Sequence, residues 1–289
     1  MDPSLVSEFS SSKWWQALNP AIYLVSVLPG VAVWLLSPSI IDLTALVWAT
    51  LAVVLLQHSV NLLNDVKDWQ LGADTHKFDS WVRIHSGGEA HAFWHGVISG
   101  VMGATLGLTT LAINDRLWIV SFALPLVLLG MLYNAGNKPL SYTPWGEWVT
   151  GICYGPGVFG GLWFVSGQPV SGIAVAGMLA FAAFSTALLF SHQPPQIETD
   201  RSAGKLSFAV RHGAVTTYKT AFLLYCVSLI LVGCVLWWSG HAHGASLWSP
   251  ILFSVGSAVV LLWIGRMGPN PKRIMLSAAL VYLISGLAH

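Results

Sequence analysis

Charge is scarce in this sequence. Only 9% of its 289 residues are Asp, Glu, Lys or Arg, against about 25% in ordinary soluble domains. A chain this poor in charge cannot cover an apolar interior with a solvated surface, which excludes a soluble globular fold. Cysteine is scarce too. Cys153, Cys226 and Cys234 fall inside apolar runs at no metal-ligand spacing. They read as packing residues, which argues against a disulfide framework or a zinc site. A cleavable signal is missing: the start, MDPSLVSEFSSSK, is polar, so the first apolar run is expected to remain as a span. No nucleic-acid partner and no protein partner are inferred.

What is abundant is apolar length. The chain is 55% hydrophobic with a mean hydropathy of +0.66. Runs of roughly 20 apolar residues, enough to cross a bilayer as helices, recur throughout. Nine spans are expected, at 18–37, 43–64, 92–113, 116–135, 146–167, 171–191, 217–239, 247–265 and 273–288. The whole of 1–289 then forms one integral-membrane domain. Its fold class is all-α, with about nine transmembrane helices around a central cavity.

The few basic residues fix an orientation. With nine spans, twelve of the 13 Lys and Arg fall on one side, and only Arg116 lies opposite. The positive-inside rule makes the crowded side cytoplasmic. This points to a multi-pass protein, in a bacterial inner membrane, whose cavity opens to the cytoplasm. Trp14, Trp15, Trp69, Trp145, Trp237, Trp238 and Trp248 fall near span ends, as interfacial aromatics do.

Two polar clusters stand out against this apolar background. The second span runs into N61-L-L-N-D-V-K-D-W-Q-L-G-A-D-T75. Helical spacing puts Asn61, Asn64 and Asp68 on one face, with Asp65 one step round and Asp74 beyond Gly72. Converging oxygens at a span end suit a hard divalent cation such as Mg²⁺, which commonly bridges a carboxylate to a phosphate. A solvated helix end is the bland alternative. Ionisable residues at membrane depth are functional candidates by default. The sixth span runs into S191-H-Q-P-P-Q-I-E-T-D-R-S-A-G-K205. Here Glu198 and Asp200 stand beside Arg201 and Lys205: acid for metal next to base for phosphate.

These residues resemble the UbiA superfamily of intramembrane prenyltransferases. Its first motif is similar to Asn64-Asp65, Asp68 and Asp74. The long spacing is most like the branch that prenylates 1,4-dihydroxy-2-naphthoate on the way to menaquinone. Arg83-Ile84-His85-Ser86-Gly87 resembles an R-x-x-x-S-G element one residue tighter than the family's spacing. Tyr133, Lys138-Pro139-Leu140, Tyr142 and Gly146-Glu147 resemble a further segment, and Gln196 through Gly213 resembles the second motif. Three positions depart from the pattern. The first acid of the second motif is Gln196, its Asn-rich lead-in is His192-Gln193-Pro194-Pro195, and the expected Arg-Pro near the first span is Asn19-Pro20. Glu198 would replace the missing charge if Pro194 and Pro195 break the helix and turn it inward.

The resemblance implies an enzyme that moves a polyprenyl group from an allylic polyprenyl diphosphate to an aromatic acceptor, a naphthoate or hydroxybenzoate, inside the lipid membrane. It implies Mg²⁺ held by Asn64, Asp68, Asp74, Gln196 and Asp200, with Asp68 and Asp200 at the centre of catalysis. Arg83, Lys138, Arg201 and Lys205 would contact diphosphate. Asn61, Tyr133, Tyr142 and His192 would line the substrate cavity. Two alternatives stay open: a terpene cyclase of the same superfamily, and a non-catalytic carrier of a lipid diphosphate.

Weaker signals complete the reading. Gly151, Gly155, Gly157 and Gly161 form small-xxx-small pairs that favour close helix packing, and Pro156 between them predicts a kink. His58 reads as a hydrogen-bonded packing residue. His76, His85, His91 and His95 surround the first loop and read as mostly solvated. His241 and His243 lie on an outer loop.

Overall fold

The computed structural model describes residues 14–73, 77, 79–86, 88–243 and 247–288. Helix α1 spans Trp14–Leu36, with a 3-10 turn at Pro20–Tyr23. It is followed by α2 (Leu43–Leu71), the short α3 (Trp81–Ile84), α4 (Glu89–Ile113) and α5 (Ile119–Asn134). Helix α6 runs over Gly146–Val165 and α7 over Gly172–His192. Two short helices follow, α8 (Ile197–Ser202) and α9 (Phe208–His212). The chain ends with α10 (Ala214–His243), α11 (Trp248–Met267) and α12 (Pro271–Gly286).

Among the described residues, seven helices are long and apolar enough to cross a membrane. Helices α5 and α12 occupy the expected fourth and ninth spans but have only 16 residues each. At 1.5 Å per residue they reach about 24 Å, short of a hydrocarbon core of about 30 Å.

The apolar surface faces outward and the polar groups face inward. Leu43, Val47 and Leu51 are exposed along one stripe of α2, while Gln57, Asp65 and Asp68 on the same helix are buried. A soluble protein would show the reverse. The outer stripe suits lipid, and the buried acids need partners inside. The longest helix pairings are α2 against α4 and α7 against α10.

Two helix ends differ from expectation in ways that bear on function. Helix α2 continues about two turns past residue 64, because its backbone bonds stay within the helix until Gly72. Gly72 closes it in the left-handed conformation at φ 83°, which only glycine adopts without strain. Helix α6 bears out the predicted irregularity at Pro156: residues Cys153–Gly160 form a π-helical stretch. Proline cannot donate to the regular ladder, and the wider turn absorbs the fault. Gly155 is packed so closely on the Met178 carbonyl of α7 that a β-carbon would clash there. Around Gly161 a β-carbon would meet open space, so the small-residue packing holds for only part of the run.

The bundle has two distinct ends. At one, Asp42 caps α2 through Ala45 N and accepts Arg116 Nη1 at 3.3 Å. Arg116 also donates to the Val165 carbonyl, and Ser39 bonds Gln168 at 3.0 Å. These contacts tie the loops after α1, α4 and α6 together, where the lone opposite-side arginine was expected. At the other end the loops after α2, α5 and α7 meet, carrying both polar clusters.

Candidate active site

Helices α2, α5, α6 and α7 bring their polar ends around one cavity of about 90 Å³. Its walls include Asn64, Asp68, Lys77, Tyr133, His192, Gln196, Asp200 and Lys205. At about 30 Å³ per water, this is the scale of a charged head group. An isoprenoid chain would have to extend beyond it.

Asp68 is the hub of the α2 side and only 3% exposed. Tyr142 Oη donates to its Oδ1 at 2.8 Å. Asn64 Nδ2 donates to Oδ2 at 2.9 Å, and Lys205 Nζ to the same oxygen at 3.3 Å. Asp200, from α8, is also 3% exposed. It accepts Ser207 Oγ at 2.8 Å, and its other oxygen lies 3.9 Å from Lys205 Nζ. Carboxylates 132 positions apart in the chain thus share one ammonium. Two buried carboxylates close together repel unless a cation stands between them, and here Lys205 does. Lys205 also lies 5.2 Å from the centroid of the Tyr142 ring, within cation–π range.

Asp65 does different work. Lys77 Nζ meets its Oδ1 at 3.0 Å, and Trp81 N donates to Oδ2 at 2.8 Å. It pins the returning loop and the start of α3, which also brings Lys77 to the cavity wall.

The proline pair after α7 does break the helix. A 3-10 turn over Pro194–Gln196 precedes α8. Yet the break turns Gln196 toward the cavity and Glu198 away from it. The Glu198 side chain is 85% exposed and pairs with Arg201 at 3.1 Å. The expectation that Glu198 supplies the missing inward charge is therefore corrected: α8 restarts with residues 196 and 200 on its inner face, four apart, and 198 on the opposite one.

Other expected site residues fall around the cavity or away from it. Tyr133 and His192 line it; Tyr142 is buried beside it through Asp68. Asn61 contacts the Tyr23 hydroxyl, one turn below Asn64. Arg83 is buried in α3, and Lys138 is exposed in the loop after α5. Neither these two nor Arg201 is among the cavity-wall residues. Asp74, Gly87 and His76 lie outside the described residues.

The sequence reading missed Lys77 as a wall residue and understated Glu147. Glu147 is 7% exposed in the first turn of α6. It accepts Phe208 N at 2.6 Å, Arg211 Nη2 at 3.3 Å and Gln193 Nε2 at 3.4 Å, and so fastens the second motif's loop to α6. The available signal was a carboxylate at a helix start in a charge-poor chain, where the dipole favours it.

Among the described residues no three His, Cys, Asp or Glu side chains converge as a metal site. The set is instead two carboxylates, Asp68 and Asp200, completed by the amide residues Asn64 and Gln196. All offer hard oxygens, and a cation already stands between the acids. That chemistry fits Mg²⁺ bridging to a phosphate, which is held by one or two carboxylates and keeps several waters.

Comparison with known proteins adds lineage to this geometry. A profile of the UbiA prenyltransferase family matches residues 23–283. The chain is 24% identical over 237 residues to the 1,4-dihydroxy-2-naphthoate octaprenyltransferase of Bacillus subtilis, covering 78% of this chain and 75% of that protein. To the enzyme of the same name from Mycobacterium tuberculosis it is 27% identical over 223 residues, 72% of each. Its fold is similar to a UbiA homologue from Archaeoglobus fulgidus solved with GPP and Mg²⁺. The TM-score is 0.63 at 16% identity, covering 96% of this chain and 99% of that one.

Proposed function

The chain belongs to the UbiA prenyltransferase family, and from that premise we propose that it transfers a polyprenyl group from an allylic diphosphate to an aromatic acceptor of the naphthoate type. One observation carries the proposal. Asp68 from the first motif and Asp200 from the second are buried at one small cavity and share Lys205. That is a site for a multiply charged anion with its counter-cations.

Asn64, Asp68, Gln196 and Asp200 are the residues that would hold Mg²⁺, and Mg²⁺ would neutralise the charge that develops on the departing diphosphate. Lys205 and Lys77 both reach the cavity wall and present ammonium groups to phosphate oxygens. Preorganised charge of this kind typically supplies the largest share of catalysis. The Tyr133 ring, on the cavity wall, offers a face that favours an allylic cation. The surrounding helices keep water from that cation, and the isoprenoid tail lies between them toward lipid. Relatives named for dihydroxynaphthoate transfer support a naphthoate acceptor and a menaquinone-like product. The Mg²⁺ and GPP of the fold neighbour support the metal and the donor class. The one-sided Lys and Arg support a site on the cytoplasmic face of the membrane.

The test is product analysis. Purified protein, Mg²⁺ and a mixed prenyl diphosphate pool are incubated with a panel of aromatic acids, and products are read by mass. A prenylated naphthoate formed only with Mg²⁺ is expected. Pyrophosphate release with a cyclic hydrocarbon and no acceptor adduct would make the protein a cyclase. Tight diphosphate binding with no product at all would make it a carrier.

A further inference from the structure

Outside the cavity two further groups stand out. The first is a set of histidines. His58 Nε2 is 3.3 Å from His95 Nε2, and His95 Nδ1 is 3.3 Å from His85 Nε2. His85 and His95 are half-buried, which overturns the expectation that these two loop histidines are solvated. None of the three lines the cavity. Trp81 packs on His58 at 5.0 Å and on His95 at 5.4 Å, so the group holds α3 against α2 and α4. The second is an apolar groove with a basic mouth, on the other side of the sequence.

The groove lies between α10 and α11, is open along its length and has a volume of about 560 Å³. Phe222 of α10 and Ala258, Leu261, Leu262 and Gly265 of α11 line it, and Arg266 stands at one end. The α11 residues follow i, i+3, i+4, i+7 spacing and so form one stripe. Gly265 leaves room in it: a β-carbon there would come to 3.6 Å from Phe222 Cζ, and a larger side chain would fill the space. Leu262 is 66% exposed, so the groove faces outward, where lipid is. From Ala258 to Arg266 the helix rises about 12 Å, close to the hydrocarbon depth of one leaflet, about 15 Å. None of the groove residues lines the active-site cavity.

The basic residues at its mouth have no acids to meet. Lys219 lies on α10 one turn before Phe222 and on the same face, and it is exposed, as Arg266 is. Arg273 of α12 donates to the Met267 carbonyl and to the Gly268 carbonyl at 3.0 Å. That ties the start of α12, with exposed Lys272, back to the end of α11. Other basic residues are paired: Lys77 with Asp65, Arg116 with Asp42, Arg201 with Glu198, Lys205 with Asp68 and Arg211 with Glu147. Among the described residues no ion pair involves Lys219, Arg266, Lys272 or Arg273. The sequence gives the reason. Asp200 is the last acid, and residues 201–289 hold seven Lys and Arg with no Asp or Glu. Orientation in the membrane does not require this, because acidic residues contribute little to it. A site for an anion does, since a neighbouring carboxylate would compete for the same cations.

We propose that the groove between α10 and α11 binds an anionic phospholipid. Its phosphate meets Arg266 and Lys219, and an acyl chain runs down the stripe from Gly265 to Ala258 beside Phe222. Basic pockets between helices at a membrane surface take anionic head groups, and a guanidinium matches phosphate oxygens in pairs. A zwitterionic head group brings its own cation and gains less from the same residues. The apolar stripe separates this from a site for free phosphate, because chain and head group are held together.

The experiment uses the full-length protein in neutral detergent with added dioleoyl phosphatidylglycerol or dioleoyl phosphatidylcholine, and retained lipid is read by native mass spectrometry. Wild type is expected to hold phosphatidylglycerol about tenfold more tightly than phosphatidylcholine, the scale of two charges at a membrane surface. Lys219→Ala and Arg266→Ala should each weaken phosphatidylglycerol about fivefold, the effect of one such charge. Arg266→Lys should stay within about threefold of wild type, because lysine still binds phosphate as a point charge. Ala258→Trp fills the groove and should lower retention with both charges in place. Lys138→Ala, exposed at the same end of the bundle but outside the groove, should change nothing. All these side chains are exposed, so each variant should keep the wild-type melting temperature in detergent without lipid. Equal retention of the two lipids by wild type would overturn the proposal. So would unchanged retention in Ala258→Trp, or a loss in Lys138→Ala as large as in Arg266→Ala, which would mean diffuse charge without a site. A wild-type dimer that excludes lipid and separates in Ala258→Trp would give the groove to a second copy of the chain and overturn the lipid site.

Discussion

The ends of α2 and α7 face the same cavity but are built from different materials. Helix α2 runs unbroken through its acidic stretch, so Asp65 and Asp68, three residues apart, project to different neighbours. Asp65 is fully engaged by Lys77 and the Trp81 backbone. Asp68 accepts from Tyr142, Asn64 and Lys205 and faces the cavity. Helix α7 stops at His192, and the site residues come from a 3-10 turn and a six-residue helix. That segment is held from outside, by Ser207 on Asp200 and by Glu147 on Phe208 and Arg211. The α2 side thus brings charge on a rigid element, while the α7 side brings one charge and one neutral amide on a fastened loop. The functional carboxylate of each side is the one that itself lines the cavity and meets Lys205.

The comparison can be broken hardest at Asp68. Asp68→Ala removes the carboxylate shared by Tyr142, Asn64 and Lys205, and turnover should fall about a thousandfold, the upper range for loss of one preorganised electrostatic group. Near-normal activity in a kinetic assay would remove Asp68 from the site. Asp65→Ala tests the structural half of the same helix. It removes the Asp65 bonds to Lys77 and Trp81 N, two charge-assisted bonds worth about 3–6 kcal/mol together. A lower melting temperature in detergent is expected, with the activity of the folded fraction reduced far less than in Asp68→Ala. Equal kinetic damage at both positions would erase the distinction between them.

On the α7 side, Gln196→Asp should preserve or raise Mg²⁺-dependent turnover, because an anion there joins Asp68 and Asp200 in favouring a cation. Complete loss in a Mg²⁺ titration of activity would give the glutamine a separate role. The smallest effect is expected at Arg201. Its pairing with Glu198 is exposed, and such pairs contribute about 0–1 kcal/mol. Arg201→Ala should therefore change kcat/KM by about twofold or less. A large drop would bring Arg201 back to the diphosphate.

Much of this is legible in the sequence. Charge scarcity, apolar run length and the one-sided basic residues all report on the bilayer, a solvent that acts on every residue alike. Helical spacing set Asp65 one step round from Asn64 and Asp68, and the structure gives it a different partner. Features that depend on several elements meeting were hidden. Glu198 looked like an inward substitute because a helix break has no readable angle in sequence. Lys138 and Arg201 belong to the resembled segments but are not among the cavity-wall residues, whereas Lys77, drawn in by Asp65, reaches the wall. The contacts of His95 with His58 and with His85 were invisible because the three come from different elements. Their alignment depends on how α2, α3 and α4 pack.

The central claim is that the two motifs build one Mg²⁺-dependent diphosphate site, and a binding cycle tests it most directly. Affinity for a non-hydrolysable geranylgeranyl thiodiphosphate is measured with and without Mg²⁺ in wild type, Asp68→Ala, Asp200→Ala and the double variant. The account predicts that Mg²⁺ strengthens binding in wild type. Each single variant should lose that gain, and the double variant should lose little more than either single, because the two carboxylates act as one unit. Mg²⁺-independent binding in wild type, or strictly additive losses, would contradict it.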